Sequence, residues 1–359
     1  MASILVLGVK VPFTSGGQEA LVKSLVSQLK QRGHLVDTVE LPFNQTSKES
    51  LLEHAALWRS LDISEFAGEK VDLIICTKFP SYYARHPKKS LWLVHQHRPI
   101  YDLYGGKFCD FSDEPKDEEI RRMLVEGDCQ AISECSYISG ISKNVTERLK
   151  HFNNINAESL YPPIPLSGRY KCGETRPYIL SVGRICRIKR IDHIVKAMPY
   201  VKAPLTLKIV GQPDEPGFMD HLQAEISKHN LASRIEFLGR VSDEELIDLY
   251  ANAFSIFYGP YNEDYGYVTL EALASGKPVV TGTDSGGVLE FITHESNGLV
   301  VEPTFNSFGE AFNRLQDDKE LYKKLSAQGL KDISSWGLND SKYWDVVVDK
   351  LTSPLRLNK

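Results

Sequence analysis

The sequence has few cysteines, and none is arranged for a metal or for a disulfide framework. The six cysteines are scattered between positions 76 and 186, without a C-x-x-C pair, and no histidine cluster at zinc spacing occurs. This pattern predicts reduced thiols and no structural zinc, as is typical of a cytoplasmic protein.

Excess positive charge and long apolar runs are also lacking. The net charge is −5 and the isoelectric point is near 6.1, which argues against a nucleic-acid partner. No apolar run is long enough to cross a bilayer, and residues 3–8 predict a strand rather than a secretory signal. We therefore expect a cytoplasmic protein, and contact with the inner face of the membrane stays open.

What the sequence does contain is a repeated alternation of apolar strands and helical segments. Residues 18–32 and 143–151 predict helices, the second capped by Ser142. Strands are predicted in both halves of the chain, at residues 4–7, 35–41, 71–76, 91–95, 138–141, 178–182, 205–210, 235–238, 254–258 and 278–281. This order predicts an α/β fold with two doubly wound parallel sheets.

A proline-rich segment at residues 161–165 predicts the domain boundary, because its prolines exclude a helix and stiffen the chain. We therefore predict domains at residues 1–165 and 166–339, a length that suits two ordinary domains. The acidic segment 110–119 is interpreted as a mobile loop or a loop-helix insertion. Residues 341–351 are interpreted as a helix.

Two carboxylates, Glu263 and Glu271, are the most informative residues. They flank a predicted strand-to-helix junction, with a helix at 269–274 that stops at Gly276. The amides of residues 266–269 would form a helix N-terminus, where an anion is favoured. Two acceptor groups beside a phosphate site suit a nucleotide sugar. A loop acid plus an unrelated helix acid is the simpler alternative.

The segment 261–276 resembles the E-x7-E motif of retaining glycosyltransferases of family GT4. It departs from that motif where Tyr265 and Tyr267 replace a phenylalanine and an aliphatic residue that many members carry. The resemblance implies the GT-B fold, with two Rossmann-like domains facing a central cleft. It also implies an N-terminal acceptor domain, a C-terminal donor domain, and a final helix, 340–359, that crosses back to the N-terminal domain.

The resemblance further implies roles for individual residues. Glu271 would hold the ribose, and Glu263 with the 264–268 amides would hold the sugar. Arg184 and Lys189 match a V-G-R…K signature and would stabilise the leaving diphosphate. Arg187 and Arg190 compete for that role, and a solvated basic loop is the alternative. The predicted donor-binding set also includes Gly16, Gly17, Gly183, Gly211, Arg240, Val241, Asp264, Tyr265, Gly266, Tyr267, Val268 and Thr269.

In the first half, Gly16 and Gly17 resemble the family's G-G-x-E loop. They do not form the G-x-G-x-x-G pattern of a nicotinamide-dinucleotide site. In the family, a histidine after the strand at residues 91–95 contacts the donor sugar. His95 matches that position better than His97 does, because His95 directly ends the apolar strand. A histidine that only bonds a nearby carbonyl is the alternative.

Six basic residues also lie close together in the first half: Lys78, Arg85, His86, Lys88, Lys89 and Arg98. They are interpreted as a solvated face, or alternatively as a contact for a phosphorylated or lipid-linked acceptor near an anionic membrane.

The predicted function is transfer of a hexose, with retention, from a nucleotide-diphosphate sugar such as UDP-glucose. The acceptor would be a glycan or a lipid-linked sugar in polysaccharide biosynthesis. We expect no cofactor and no metal, because no Asp-x-Asp motif stands at a strand end. A non-hydrolysing sugar-nucleotide epimerase and a non-catalytic nucleotide-sugar-binding subunit remain as alternatives.

Overall fold

The computed structural model describes residues 1–12, 16–66 and 68–356. This part of the chain forms two compact units. Unit 1 runs to Pro165 and includes the C-terminal segment from Lys342, and unit 2 comprises Leu166–Ser341. Within the same described residues, we find no helix whose length and apolar character would let it cross a membrane.

The strands alternate with helices as the apolar pattern predicts. The strands are β1 (Ser3–Lys10), β2 (Leu35–Pro42), β3 (Glu65–Phe66), β4 (Glu69–Lys70), β5 (Leu73–Lys78), β6 (Lys89–His95), β7 (Tyr137–Gly140), β8 (Glu158–Ser159), β9 (Tyr178–Val182), β10 (Thr206–Val210), β11 (Ile235–Gly239), β12 (Ser255–Phe257), β13 (Val279–Gly282) and β14 (Gly298–Val301). The helices are α1 (Gly17–Gln31), α2 (Glu49–Ser60), α3 (Pro115–Ser133), α4 (Lys143–Asn153), α5 (Ile191–Ala197), α6 (Phe218–Lys228), α7 (Asp243–Asn252), α8 (Tyr267–Ala274), α9 (Phe305–Asp317), α10 (Lys319–Trp336) and α11 (Tyr343–Leu351).

Unit 1 is built on a six-stranded parallel sheet in the order β2-β1-β5-β6-β7-β8. Trp92 of β6 is fully buried, and its indole N–H donates to the Leu160 carbonyl at 2.8 Å. Trp344 of α11 meets that ring edge-on, with centroids 6.1 Å apart. The C-terminal helix therefore packs on the sheet of unit 1.

Unit 2 is built on a second parallel sheet in the order β11-β10-β9-β12-β13-β14. This is the doubly wound order in which the chain reverses direction across the sheet between β9 and β12. Ligands of such sheets bind beyond the carboxyl ends of the strands at the reversal. Arg184 follows β9 and Glu263 follows β12, so both lie at that edge.

The structure decides one open interpretation, and other elements differ from the predictions or were not predicted. Segment 110–119 matches the second of its two interpretations, a loop followed by a helix, because α3 begins at Pro115 and continues to Ser133. Proline suits the first turn of a helix, where its missing N–H costs nothing. Helix α8 begins at Tyr267, two residues before the predicted start, and β14 was not predicted at all.

Candidate functional site

The carboxyl edge of the second sheet begins with glycines that end three adjacent strands. Gly183, Gly211 and Gly239 follow or end β9, β10 and β11, and the Gly211 amide donates to the Gly239 carbonyl at 2.9 Å. A Cβ on Gly211 would lie 1.8 Å from the Gly183 carbonyl oxygen. The two strand ends therefore approach each other more closely than any side chain would allow.

Arg184 emerges from this edge immediately after β9. Its side chain is 57% exposed, and its guanidinium contacts the Asp214 carboxylate from the loop after β10. Arg184, which is predicted to bind the diphosphate, is therefore accessible, and its guanidinium is paired with a carboxylate of the protein.

Lys189 lies in a 3₁₀ turn, Arg187–Lys189, and meets the loop that follows β12. Its ammonium contacts Glu263 Oε2 at 2.5 Å and the Tyr258 hydroxyl at 3.3 Å. The side chains of Lys189 and Glu263 are 14% and 19% exposed. A shielded ion pair at the carboxyl edge, with an aromatic hydroxyl beside it, brings two of the predicted catalytic residues together.

The backbone around Glu263 is held in place by the loop after β13. The Glu263 amide donates to the Ser285 carbonyl at 3.1 Å, and the Gly287 amide donates to the Glu263 carbonyl at 2.7 Å. A Cβ on Gly287 would lie 2.5 Å from the Asp264 carbonyl oxygen, so this position requires glycine. Gly287 thus helps to position the loop that carries Glu263.

Helix α8 starts directly after this loop, with Gly266 as the residue before the first turn. The Tyr265 and Thr269 side chains are in the core, at 3% and 0% exposure, and the Tyr265 ring packs edge-on against Phe291. Of the predicted segment 264–269, these two residues can therefore offer a ligand their backbone groups but not their side chains.

Glu271 lies in the second turn of α8 and is only 7% exposed. The Tyr250 hydroxyl, from α7, donates to Glu271 Oε2 at 2.7 Å. Burial raises the pKa of the Glu271 carboxyl, and the hydroxyls of Tyr250 and Tyr170 oppose that rise. The carboxylate is thus held in one orientation by a tyrosine that the sequence analysis did not single out.

The two competing arginines have other partners. The Arg190 side chain is 4% exposed and binds Asp284 through two contacts of 2.6 and 2.5 Å. Arg187 donates to Glu215 through its guanidinium at 2.9 Å and its backbone N–H at 3.0 Å. Arg190 therefore fastens the loop after β13, and Arg187 fastens its own turn to the loop after β10.

Arg240 and Val241 follow β11, at the same edge of the sheet. Arg240 is exposed and Val241 is half-buried. The next residue, Ser242, caps α7 by accepting from the Glu245 amide at 3.2 Å. The chain therefore turns at this point from β11 into α7.

In unit 1, His95 ends β6 and is half-buried. Its Nδ1 lies 2.8 Å from the carbonyl of the next residue, Gln96. His97 packs beside Phe79 and Phe111, and burial lowers its pKa to about 4. The structure thus keeps His95 at the strand end and places His97 against an aromatic cluster.

Gly16 and Gly17 begin α1, which follows β1, and residues 13–15 of the preceding turn lie outside the described residues. The Gly16 amide donates to the Glu19 carboxylate at 2.8 Å. The acid of the predicted G-G-x-E pattern therefore caps the helix.

The basic cluster of the first half is not the solvated face that was predicted. Lys89 is fully buried, and its ammonium donates to the carbonyls of Tyr82, Ala84 and Ala131 at 3.0, 3.1 and 2.9 Å. Lys78 is also buried. Lys89 therefore joins the chain near Tyr82 to α3 inside the core, and these carbonyl partners compensate for burying its charge. Its role is structural.

Three residues of the candidate site were missed: Tyr258, Tyr250 and Asp214. Tyr258 ends an apolar run just before Gly259, and this polar tip at a strand end was the available signal. Asp214 and Tyr250 carry no sequence signal, since their partners are 30 and 21 residues away. Within the described residues, no group of three histidines, cysteines or acids is placed to hold a metal ion.

Comparison with known proteins shows what this chain is similar to. Residues 167–332 match the family described as "Glycosyl transferases group 1". The match lies within the second half of the chain, and it confirms the predicted resemblance to glycosyltransferases.

Similar proteins extend the match beyond this segment. An uncharacterized glycosyltransferase of Methanocaldococcus jannaschii is 25% identical over 90% of this chain and 90% of its own. A mannosyltransferase of Corynebacterium glutamicum, described as GDP-mannose-dependent and as acting on a monoacylated phosphatidylinositol monomannoside, is 31% identical over 51% of this chain and 48% of its own. The structure of sucrose-phosphate synthase from Thermosynechococcus elongatus aligns with 96% of this chain and over 98% of its own length, with a TM-score of 0.75 at 17% identity. The last likeness confirms the predicted GT-B fold.

Proposed function

We propose that this protein is a retaining hexosyltransferase that uses a nucleotide-diphosphate sugar and needs no metal ion. The observation that carries the proposal is the group at the reversal of the second sheet: Arg184, and Lys189 paired with Glu263. Both cations stand where a diphosphate would lie beyond the strand ends. The family match of residues 167–332 supports the same function.

In this proposal, the two cations stabilise the diphosphate as negative charge develops on it. The bond between the anomeric carbon and the diphosphate oxygen breaks, and the acceptor hydroxyl oxygen bonds to that carbon on the same face. The hydroxyl proton passes to the departing phosphate. Such preorganised charge is usually the largest contribution to catalysis. Glu263 would contact the hexose, and Glu271 the ribose.

The donor and the acceptor are the finer parts of the proposal. The sequence analysis predicts UDP-glucose, whereas the name of the Corynebacterium relative supports GDP-mannose. That name also supports a lipid-linked acceptor. Both donors therefore belong in the first experiment, with glycan and lipid-linked acceptors.

The test is product analysis with the full chain, a donor labelled in its sugar, and excess chelator. The proposal predicts a new glycoside with the anomeric configuration of the donor, and release of the nucleoside diphosphate. An epimerised donor would support the epimerase instead, and nucleotide-sugar binding without turnover would support the non-catalytic subunit. Loss of transfer in chelator, restored by magnesium or manganese, would contradict the metal-independent mechanism.

A further inference from the structure

We infer that Asp214 is an internal competitor for the donor's diphosphate and thereby sets how tightly this protein holds nucleoside diphosphates. The inference rests on the proposed donor role of Arg184. One N–H group of the Arg184 guanidinium donates to an Asp214 carboxylate oxygen, and phosphate oxygens accept from guanidinium N–H groups in the same way. The carboxylate is therefore placed as a substitute for a phosphate.

The backbone keeps Asp214 near Arg184 even when the side chains separate. The Ile185 amide donates to the Gln212 carbonyl at 2.9 Å, and the Asp214 amide donates to the Ile185 carbonyl at 3.2 Å. The two loops therefore run side by side, joined just beyond the close contact of Gly183 and Gly211. When a diphosphate binds Arg184, the negative charge of Asp214 stays close to it and opposes binding.

The next residue, Glu215, has the same charge and a similar environment but a different task. Its side chain is 32% exposed, against 29% for Asp214. It accepts from the backbone N–H and the guanidinium of Arg187 and so fastens the 3₁₀ turn. Glu215→Gln is therefore a matched control for Asp214→Asn: it removes one negative charge from the same loop without releasing Arg184.

Removing the Asp214 charge should tighten nucleoside diphosphate binding, which is an unusual direction for a substitution in a ligand site. Asp214→Asn removes the exposed ion pair with Arg184 and the repulsion between Asp214 and the bound diphosphate. Together these two changes predict a roughly three- to tenfold lower Kd for UDP and GDP. The gain should be smaller for UMP and GMP, which lack the β-phosphate. Inhibition of the reaction by its nucleoside diphosphate product should strengthen by the same factor.

Titration calorimetry of the full chain with UDP, GDP, UMP and GMP tests the inference. The expected result is tighter diphosphate binding by Asp214→Asn, with a smaller gain for monophosphates and little change in Glu215→Gln. Unchanged or weaker diphosphate binding by Asp214→Asn would overturn the inference. An equal gain from Glu215→Gln would also overturn it, because general loop charge would then explain the effect.

Two further observations keep the outcome clear. Thermal unfolding identifies a variant that does not fold, and Asp214→Ser is then measured in its place with the same expected gain. If the unaltered protein binds nucleoside diphosphates but neither Asp214 variant binds them more tightly, only this inference fails. If the unaltered protein binds none of them, the proposed function fails as well.

Discussion

The two glutamates differ in environment, and this difference separates their proposed roles. Glu271 is almost fully buried and fixed by Tyr250, whereas Glu263 is partly exposed and paired with Lys189. A carboxylate fixed inside a helix suits a constant part of the ligand, the ribose. A carboxylate on a loop suits the sugar, which varies among donors.

This difference predicts that the two substitutions affect nucleotide affinity differently. Glu271→Gln should weaken the nucleoside diphosphate and the nucleotide sugar alike, by roughly ten- to a hundredfold for a lost charge-assisted hydrogen bond. Glu263→Gln should leave nucleoside diphosphate affinity unchanged but reduce transfer. Calorimetry with both ligands measures this, together with turnover. Equal weakening of the free nucleoside diphosphate by both substitutions would show that the donor is oriented differently.

A second residue-scale prediction concerns Tyr250, which donates to Glu271. Tyr250→Phe removes one hydroxyl and should weaken nucleoside diphosphate binding by about tenfold. It should also raise the pKa of Glu271, since the bond favours the ionised form. The loss of affinity on acidification should therefore begin at a higher pH in the variant, as binding measured across pH would reveal.

Tyr322→Phe is the control for Tyr250→Phe, because that hydroxyl donates to the Phe254 carbonyl at 2.7 Å in the same unit. It should cost stability without moving the pH dependence of binding. A Tyr250→Phe variant that loses stability but keeps its binding profile would reduce Tyr250 to a structural role.

At the scale of elements, a buried carboxylate joins α3 to two turns of unit 1. Asp128 is fully buried and accepts from the Tyr83 hydroxyl at 2.8 Å and the Tyr101 hydroxyl at 2.7 Å. Burial raises the pKa of this carboxyl to about 6. Below that pH, the folded state holds the proton more tightly than the unfolded chain does.

Asp128 should therefore make unit 1 less stable as the pH rises from 4 to 6. The contribution is on the order of 3 kcal/mol, and it is lost as the pH passes the folded pKa. Asp128→Asn removes this titration, so the free energy of unfolding of the variant minus that of the unaltered protein should increase across this range. Denaturant unfolding at several pH values measures the difference, and a constant difference would contradict the assignment.

The elements show which parts of the fold the sequence could predict. Buried parallel strands are continuous apolar runs, so β9 to β13 were predicted to within two residues. Segment 110–119 was left open between a loop and a loop-helix insertion, because the first turns of α3 are acidic and mostly exposed, and most of its buried face lies further along. The start of α8 was missed because Gly266, in a left-handed conformation, serves as its cap.

At the scale of the whole molecule, sequence patterns predicted which residues lie at the carboxyl edges of the sheets. They predicted less well which other residues those side chains contact. Arg184, Lys189, Glu263 and His95 each follow or end a predicted strand or its turn, and the structure places them there. The contacts to Asp214, Tyr250 and Tyr258 depend on how distant strands come together. Local patterns carry no information about such pairings, which is also why the burial of Lys89 was not predicted.

The central claim is that the carboxyl edge of unit 2 stabilises a leaving diphosphate with Arg184 and Lys189. The most direct measurement is turnover of Arg184→Ala and Lys189→Ala with the donor that the unaltered protein uses, alongside their thermal unfolding. The account predicts turnover lower by about a hundredfold or more in each variant, with the fold retained, because each loses a preorganised charge. Near-normal turnover in both variants would contradict it.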